Sequence, residues 1–430
     1  MREEKSAMGT EAPLRVKPLP LEFPGVHYMD EQEIEAVVRV LRSKSLFRFY
    51  GADLQNEAKK FEEEFAQSTG ARYALAVSSG TNALSVALSA LGVGPGQEII
   101  VPAYLWVSVA GAVVNQGAIP VLADIDETFG LDVQDVARKI TARTSGIIMV
   151  HMSGAPGDVK AVSALARAKG LFLLEDCAQC CGGSIDGQKA GTFGDMGIFS
   201  FQPNKNMTCG EGGCVITNDE RLYRRAFASH DLGYIRDENG RLIFRDAEIS
   251  LWGKGCRIDE LRAAILRVQL SKLPAITSAM RASKYRIRQS LQGFAELGLR
   301  RIQDPRGDTG CFLITTYPDL ATARSVNAML RAEGIVPSPG GISNVLMTEW
   351  GLHLYYNILS LIRKTSMDDR GFPWGLAENV GLARDYSKGA CPVADSLFER
   401  SLLLAIPSCL TDQDETDIVE AFAKALRTYL

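Results

Sequence analysis

At 430 residues the chain is too long for one small core, and 46% hydrophobic and 23% charged residues with 40 glycines describe an ordinary globular protein able to bury a deep site. A formal net charge of −4, with no long Lys/Arg block, excludes the electrostatic footprint of a nucleic-acid or anionic-membrane binder and leaves a small molecule as the expected ligand. No segment reaches the roughly 18 to 20 apolar residues of a membrane span, and the N-terminus lacks the apolar stretch of a signal peptide, so the expected location is cytoplasmic.

Pro13, Pro18, Pro20 and Pro24 predict an extended arm over residues 1–27 that wraps a surface. From Glu31 the pattern EQEIEAVVRVLRS is helical, and a second amphipathic run, LQNEAKKFEEEFAQSTG, closes at Gly70. Strand and helix then alternate: ARYALAVSS, TNALSVALSAL, EIIVPA, VSVAGAVVNQG and IPVLADI, followed by SGIIMVHM, the helical AVSALARAKG, LFLLED and DMGIFSF. This rhythm predicts a mostly parallel sheet covered by helices on both faces. After Cys256 a long helical stretch begins at IDELRAAILRVQLSKL, and the domain junction belongs there. The remainder, with CFLITTYP and LLLAIPS as strands and TARSVNAMLRAEG and DETDIVEAFAKAL as helices, reads as a smaller α+β domain. The expected organisation is an arm over 1–27, a large domain over 28–272 and a small domain over 273–430. The irregular region from about Pro337 to Lys388 holds Trp350, Tyr355, Tyr356, Phe372, Trp374 and Tyr386, too many aromatics for a solvated linker, so ordered substrate-binding loops or an interface are expected.

Four segments carry the chemistry, and all fall at carboxyl ends of predicted strands, where ligands gather in parallel α/β sheets. Ser79, Gly80 and Thr81 lie between a strand and a helix N-terminus, whose free N–H groups and dipole suit a phosphate, although simple helix capping by Ser79 or Thr81 explains them as well. FLLEDCAQCCGG ends a buried strand in Glu175 and Asp176 with Gln179 one short turn on; a carboxylate there is costly unless a cation meets it. Helix capping, or a metal or redox site built on Cys177 and Cys180, are its alternatives, but no histidine is near in sequence and the expectation is no metal. The odd count of nine cysteines, with Cys177, Cys180 and Cys181 crowded together, reads as free thiols. In DMGIFSFQPNKNMTCGEGG, Ser200 ends a strand and Lys205 sits in the following turn, held where partial desolvation lowers an amine's pKa and makes it a nucleophile. Trp106 in VPAYLWVSVAG offers a flat wall to a planar ligand, or plain core packing.

Taken in one order, SSGTNAL, the strand-end ED-x-AQ, AGTFGDMGIFSF and the K-x4-GEGG arrangement resemble the DegT/DnrJ/EryC1/StrS family, the pyridoxal-5'-phosphate (PLP)-dependent aminotransferases of nucleotide-sugar and aminocyclitol biosynthesis. The resemblance is strong over about residues 45–275 and loose toward the C-terminus. It implies a fold type I PLP-transferase: a three-layer α/β/α domain with a mostly parallel mixed sheet, a smaller C-terminal α+β domain, and a homodimer with interfacial active sites. It further implies Lys205 as the aldimine lysine and Asp176 on the pyridine nitrogen, both catalytic. Gln179 is implied near the phenolic oxygen, Trp106 against the ring, and Gly80, Thr81 and Ser200, with Ser79 in the same turn, around the phosphate. The implied reaction moves an amino group from L-glutamate or L-glutamine to a keto-sugar or related polyhydroxylated carbonyl compound, ping-pong through Lys205.

Two positions depart from the family pattern. Gln202 stands where a histidine is common, which leaves Lys205 in place, and Gly255 stands where an asparagine often reaches the partner's phosphate, with Lys254 or Arg257 as candidate replacements. His353, Tyr355 and Arg400 are expected around the acceptor, with packing inside the small domain as the equal alternative. The rival readings are a catalytically idle PLP-binding sensor or scaffold, and a sugar dehydratase on the same fold; dehydratase relatives replace the lysine by histidine, and Lys205 is present.

Overall fold

The computed structural model describes residues 12–246, 249–382 and 384–430. The first helices are α1 (Glu31–Ser43) and α2 (Glu57–Thr69). Asp30 and Glu33 form a reciprocal capping box at the start of α1, and Gly70 ends α2 at φ 76, a left-handed conformation that glycine adopts without a Cβ penalty. The alternation follows as read, with one helix added: β1 (Tyr73–Val77), α3 (Gly80–Leu91), β2 (Glu98–Pro102), α4 (Val107–Asn115), β3 (Ile119–Ala123), α5 (Val133–Lys139), which the sequence reading did not include, β4 (Thr144–Val150), α6 (Val159–Lys169), β5 (Phe172–Asp176) and β6 (Met196–Ser200). Two further elements had no clear signal in the sequence, β7 (Gly213–Thr217) and α7 (Glu220–His230).

The seven strands lie in the order β3-β2-β4-β5-β6-β7-β1. All neighbours are parallel except β7, which runs antiparallel to both β6 and β1. Burial explains the near-continuous apolar runs. In β2, Ile99 and Val101 pack in the core beneath α3 and α4, whereas Ile100 packs in the core formed with α5 and α6. In β1, Leu75 and Val77 join the first core and Ala74 and Ala76 a third beneath α2. A strand buried on both faces needs no polar alternation. The result is the three-layer α/β/α arrangement with a mostly parallel mixed sheet.

The helix α8 (Glu260–Leu291) runs unbroken for 32 residues through Pro274, with the expected junction at 272 inside it. Beyond it, β8 (Gly298–Leu299), β9 (Phe312–Thr316), β10 (Asn344–Leu346) and β11 (Ser401–Ala405) form an antiparallel sheet ordered β8-β9-β11-β10. The helices α9 (Leu320–Ala332) and α11 (Asp412–Tyr429) cover it through Leu402, Leu404, Ile418 and Phe422, and α10 (Pro392–Glu399) precedes β11. The opposite face of this sheet contributes Ile314 and Leu403 to the core beneath α3 and α4. The two sheets are therefore locked together.

The arm, from residue 12 onward, carries no α-helix and no long strand, and it ends in a 3-10 turn at Val26–Tyr28. Leu19 donates to Val336 (2.8 Å) and accepts from Ser338, Arg15 pairs with Asp414 and Asp417, and the Gly25 amide meets the Lys205 carbonyl at 3.4 Å. Residues 1–11 of the expected arm lie outside the described residues. The irregular region is ordered by burial. Tyr386 donates to the Pro120 carbonyl (2.7 Å), Asn379 holds Gly96 and Gly117, and Arg384 pairs with Glu98, so the region folds over the β2/β3 edge of the large sheet. Among the described residues no helix is long and apolar enough to cross a membrane.

Candidate active site

Loops at the carboxyl ends of β1, β2, β4, β5 and β6 converge on a cavity of about 360 Å³, within the range of small-molecule sites. Its walls include the residues expected around the cofactor: Ser79, Gly80 and Thr81, then Trp106, then Asp176 and Gln179, then Ser200 and Lys205.

The Ser79–Thr81 turn answers both readings at once. Ser79 caps α3, its hydroxyl accepting from the Asn82 amide at 3.1 Å, which leaves the amides of Gly80 and Thr81 without intrahelical acceptors. A Cβ on Gly80 would stand 2.6 Å from the Ser200 Cβ, so only glycine lets this turn close on the end of β6. The Thr81 and Ser108 hydroxyls meet at 2.9 Å on the same rim. Free amides at a helix N-terminus beside hydroxyls are a ready cradle for a phosphate.

On the next strands, Asp176 is 3% exposed, accepts only the Ala178 amide (2.9 Å), and has no ion pair among the described residues. Burial raises its pKa, opposed by the Ala178 amide and by the charges of Lys205 and His151. The Lys205 amine, half-buried in the turn after β6, makes no side-chain hydrogen bond among the described residues. Burial lowers its pKa, with Asp176 pulling the other way. A buried carboxylate without a cation and a nucleophilic amine without an acceptor face one space. The donor set fits PLP: a cation for Asp176, an aldehyde for Lys205 and a phosphate for the α3 terminus.

His353 completes the wall opposite. The turn Gly351–His353 is tied to the end of β2 by the bonds from Leu105 N to His353 O (3.1 Å) and from Tyr355 N to Ala103 O (3.3 Å), which set the imidazole against Trp106 with ring centroids 4.7 Å apart. Its Nδ1 bonds the Trp350 carbonyl at 2.9 Å, and its Nε2 lies 3.4 Å from Gln179 Nε2. Burial pushes its pKa down to about 4, so the ring is neutral at pH 7.

Two acceptor-site expectations are corrected. Tyr355 is fully buried away from the cavity, its hydroxyl bonded to Asp395 at 2.9 Å, because it plugs the core behind α10. Arg400 follows α10 and is absent from the cavity wall; its backbone carbonyl accepts from Tyr317. The wall instead includes Trp350, one of the aromatics of the irregular region, together with Glu22, Met152, Ser108 and Cys311, which carry no local sequence signal.

The cysteines are free thiols, eight of them buried. His151, Glu175 and Cys177 do offer ligand atoms within 4.8 Å of one another. Glu175, however, already accepts from Gly191, Phe193 and Gly194 amides at 2.6 to 2.8 Å and meets His151 Nε2 at 3.0 Å, so its lone pairs are committed. At the departure from the family pattern, Gly255 adopts φ 65, and Arg257 is committed to Asp231, leaving Lys254 exposed and without an ion pair among the described residues.

The sequence model of the DegT/DnrJ/EryC1/StrS aminotransferase family matches residues 27–338. The chain belongs to this family. Its members are PLP-dependent transaminases, and the enzyme class expected from the motifs is borne out. The chain is 36% identical over 294 residues to the UDP-N-acetyl-3-dehydro-alpha-D-glucosamine 3-aminotransferase of Acidithiobacillus ferrooxidans, an alignment spanning 67% of this chain and 76% of that one. It is 39% identical over 255 residues to the 3-amino-5-hydroxybenzoate synthase of Amycolatopsis mediterranei, spanning 59% and 63% respectively. A crystal structure of a 3-amino-5-hydroxybenzoic acid synthase superposes with a TM-score of 0.76 at 27% identity, covering 95% of this chain and all of that one. The fold class is that of these aminotransferases.

Proposed function

We propose that this family member transfers an amino group from L-glutamate or L-glutamine to a keto-sugar or related polyhydroxylated carbonyl acceptor, with PLP held at Lys205. One observation carries the reading: the unpaired, buried Asp176 carboxylate and the unbonded Lys205 amine share one cavity. When bound, the cofactor supplies an electron sink for the negative charge that develops at the substrate Cα. Asp176 keeps a proton on the pyridine nitrogen, a role that acts on the transition state more than on binding. Lys205, once freed, moves the proton between the substrate Cα and the cofactor. Gly80, Thr81 and Ser200 hold the phosphate, Trp106 walls the ring, and Gln179 donates to the phenolic oxygen. His353, neutral and donating Nδ1–H to the Trp350 carbonyl, presents Nε2 as an acceptor to the Gln179 amide and walls the space of the acceptor. Donor and acceptor use the same space in turn, hence a ping-pong scheme.

Support for a keto-sugar acceptor comes from the name of the Acidithiobacillus ferrooxidans relative, an aminotransferase of a 3-dehydro nucleotide sugar. Support for a homodimer with interfacial sites comes from the exposed Trp252 (95%), three residues before Gly255, and from a cavity wall whose cationic side chain is Lys205 alone among the described residues. A phosphate and a substrate carboxylate call for more positive charge than one chain supplies. The test is to load the enzyme with PLP, convert it with glutamate or glutamine, and add a panel of keto-sugars and cyclic polyol ketones. Return of the visible absorption with one class of acceptor is expected; no response to any amino donor refutes the reading in favour of an idle binding protein.

A further inference from the structure

Arg300 directly follows β8 in the small sheet and is 3% exposed. Its guanidinium has no carboxylate within ion-pair distance among the described residues, since the nearby Asp308 is paired with Lys284. It donates instead to four backbone carbonyls: Nε to Thr128 (2.7 Å), Nη1 to Met152 (2.9 Å) and Ser153 (3.3 Å), and Nη2 to Ala155 (3.0 Å). Three of these four belong to the loop that follows β4 at the cavity edge.

That loop has an uncommon backbone. Ser153 stands at φ 56 and ψ 35, left-handed for a residue with a Cβ, and Gly154 at φ 82. A serine in this region is strained and persists where its surroundings over-determine it. Here the Tyr104 hydroxyl meets Ser153 Oγ at 2.9 Å, Thr309 donates through N (2.9 Å) and Oγ1 (3.0 Å) to the Gly154 carbonyl, and Arg300 holds the carbonyls on either side. The consequence lies at the site. The Ser153 amide, aimed by its left-handed φ, donates to Gln179 Oε1 at 2.9 Å. A primary amide has an acceptor at one end and a donor at the other, so fixing Oε1 turns Nε2 toward the cavity.

We propose that Arg300 is a positioning residue for the transamination: by gripping the carbonyls of the 152–155 loop it keeps the Ser153 amide on Gln179 and thereby aims the Gln179 N–H at the phenolic oxygen of the cofactor. This rests on the PLP reading above. Without the grip the Gln179 amide loses the bond on Oε1 and keeps only the longer contact of Nε2 with His353, 3.4 Å, to set its orientation.

The test uses the PLP-loaded full chain as wild type, Arg300→Met, Gln179→Ala and the double variant, each titrated against pH by visible absorption of the lysine-bound cofactor. A hydrogen bond donated to the phenolic oxygen favours its deprotonated form, so its loss raises the pKa of the bound chromophore. Each single variant should raise it by about half a unit, threefold in proton affinity, and the double variant no further than either one. An unchanged chromophore in Arg300→Met, or shifts that add, overturns the proposal, because a purely structural arginine lowers the melting temperature and leaves the chromophore alone. Tyr104→Phe removes only the hydroxyl support of Ser153 and serves if Arg300→Met does not fold; a smaller shift of the same sign is expected, and no shift refutes the relay. A wild-type chain that develops no visible absorption with PLP refutes the PLP reading itself, and this inference with it.

Discussion

The His353 imidazole lies parallel to the Trp350 indole, ring centroids 4.3 Å apart and planes 10° from parallel, while its other neighbour, Trp106, is tilted at 48°. Burial between these rings is the largest cause of the ring's depressed pKa, about 4, and the positive charge on Lys205 adds to it; the bond to the Trp350 carbonyl opposes both. Between the unfolded value near 6.5 and the folded value near 4, the unfolded chain binds a proton at this position and the folded chain does not. Stability from this group is therefore complete above about pH 6.5 and declines as the pH falls toward 4. Melting temperatures recorded from pH 7 to pH 4 should fall less steeply for His353→Gln than for the wild type. Part of the slope should persist in the variant, since burial also holds His230 well below its ordinary value. Identical slopes would show that His353 titrates normally in the fold.

Lys205→Ala should abolish both turnover and the visible absorption that PLP acquires on the wild-type protein, since no other amine lines the cavity among the described residues. For Asp176→Asn the outcome differs. The amide preserves shape and the bond to Ala178 but no longer favours a proton on the pyridine nitrogen, so PLP should still bind while the rate drops by about a hundredfold or more. Stopped-flow absorbance after mixing with the amino donor measures the step directly. A rate within twofold of wild type would remove Asp176 from catalysis.

How much of this was legible beforehand follows from what is local. The apolar runs from ARYALAVSS to DMGIFSF announced six of the seven strands, because strands buried on both faces are continuous in sequence. Gly70 and the Ser79 cap marked helix ends through short-range backbone needs. The strand-end Asp176, Gln179, Ser200 and Lys205 were legible because the fold collects strand ends at one edge. Strand β7 was not, since GCVIT is a short run after a glycine-rich turn, and it is fixed by lying antiparallel between β6 and the distant β1. Tyr355 and Arg400 misled because an aromatic or a cation in an irregular segment looks the same whether it faces a ligand or fills a core. Arg300 and Ser153 are invisible for a stronger reason: their roles lie in carbonyl contacts made 145 to 172 residues away.

Glu175 tests whether the buried triad with His151 and Cys177 is a metal site or a structural bracket. Its carboxylate satisfies three backbone amides of the 191–194 turn, and removing it leaves those donors buried and unpaired. Glu175→Ala should cost about 3–5 kcal/mol in chemical denaturation, the range for breaking a buried charged network. Zinc titrated into the wild-type protein should leave the melting temperature unchanged. A rise with zinc that Glu175→Ala abolishes would establish a metal site instead.

Gly80→Ala separates the phosphate cradle from the rest of the site. The added methyl would lie 2.6 Å from Ser200 Cβ and 2.9 Å from its hydroxyl, and both belong to a strand end with little room to move. The turn must open by several tenths of an ångström, drawing the Gly80 and Thr81 amides away from the position a phosphate occupies. Alanine is otherwise the better helix former, and this position begins α3, so the helix itself should not weaken. The expected outcome is a PLP dissociation constant raised by about tenfold or more, the loss of roughly one charge-assisted hydrogen bond, with the far-ultraviolet circular dichroism unchanged. Fluorescence titration of the cofactor-free protein measures the constant. If affinity stays within twofold of wild type, the phosphate is held elsewhere than at the α3 N-terminus.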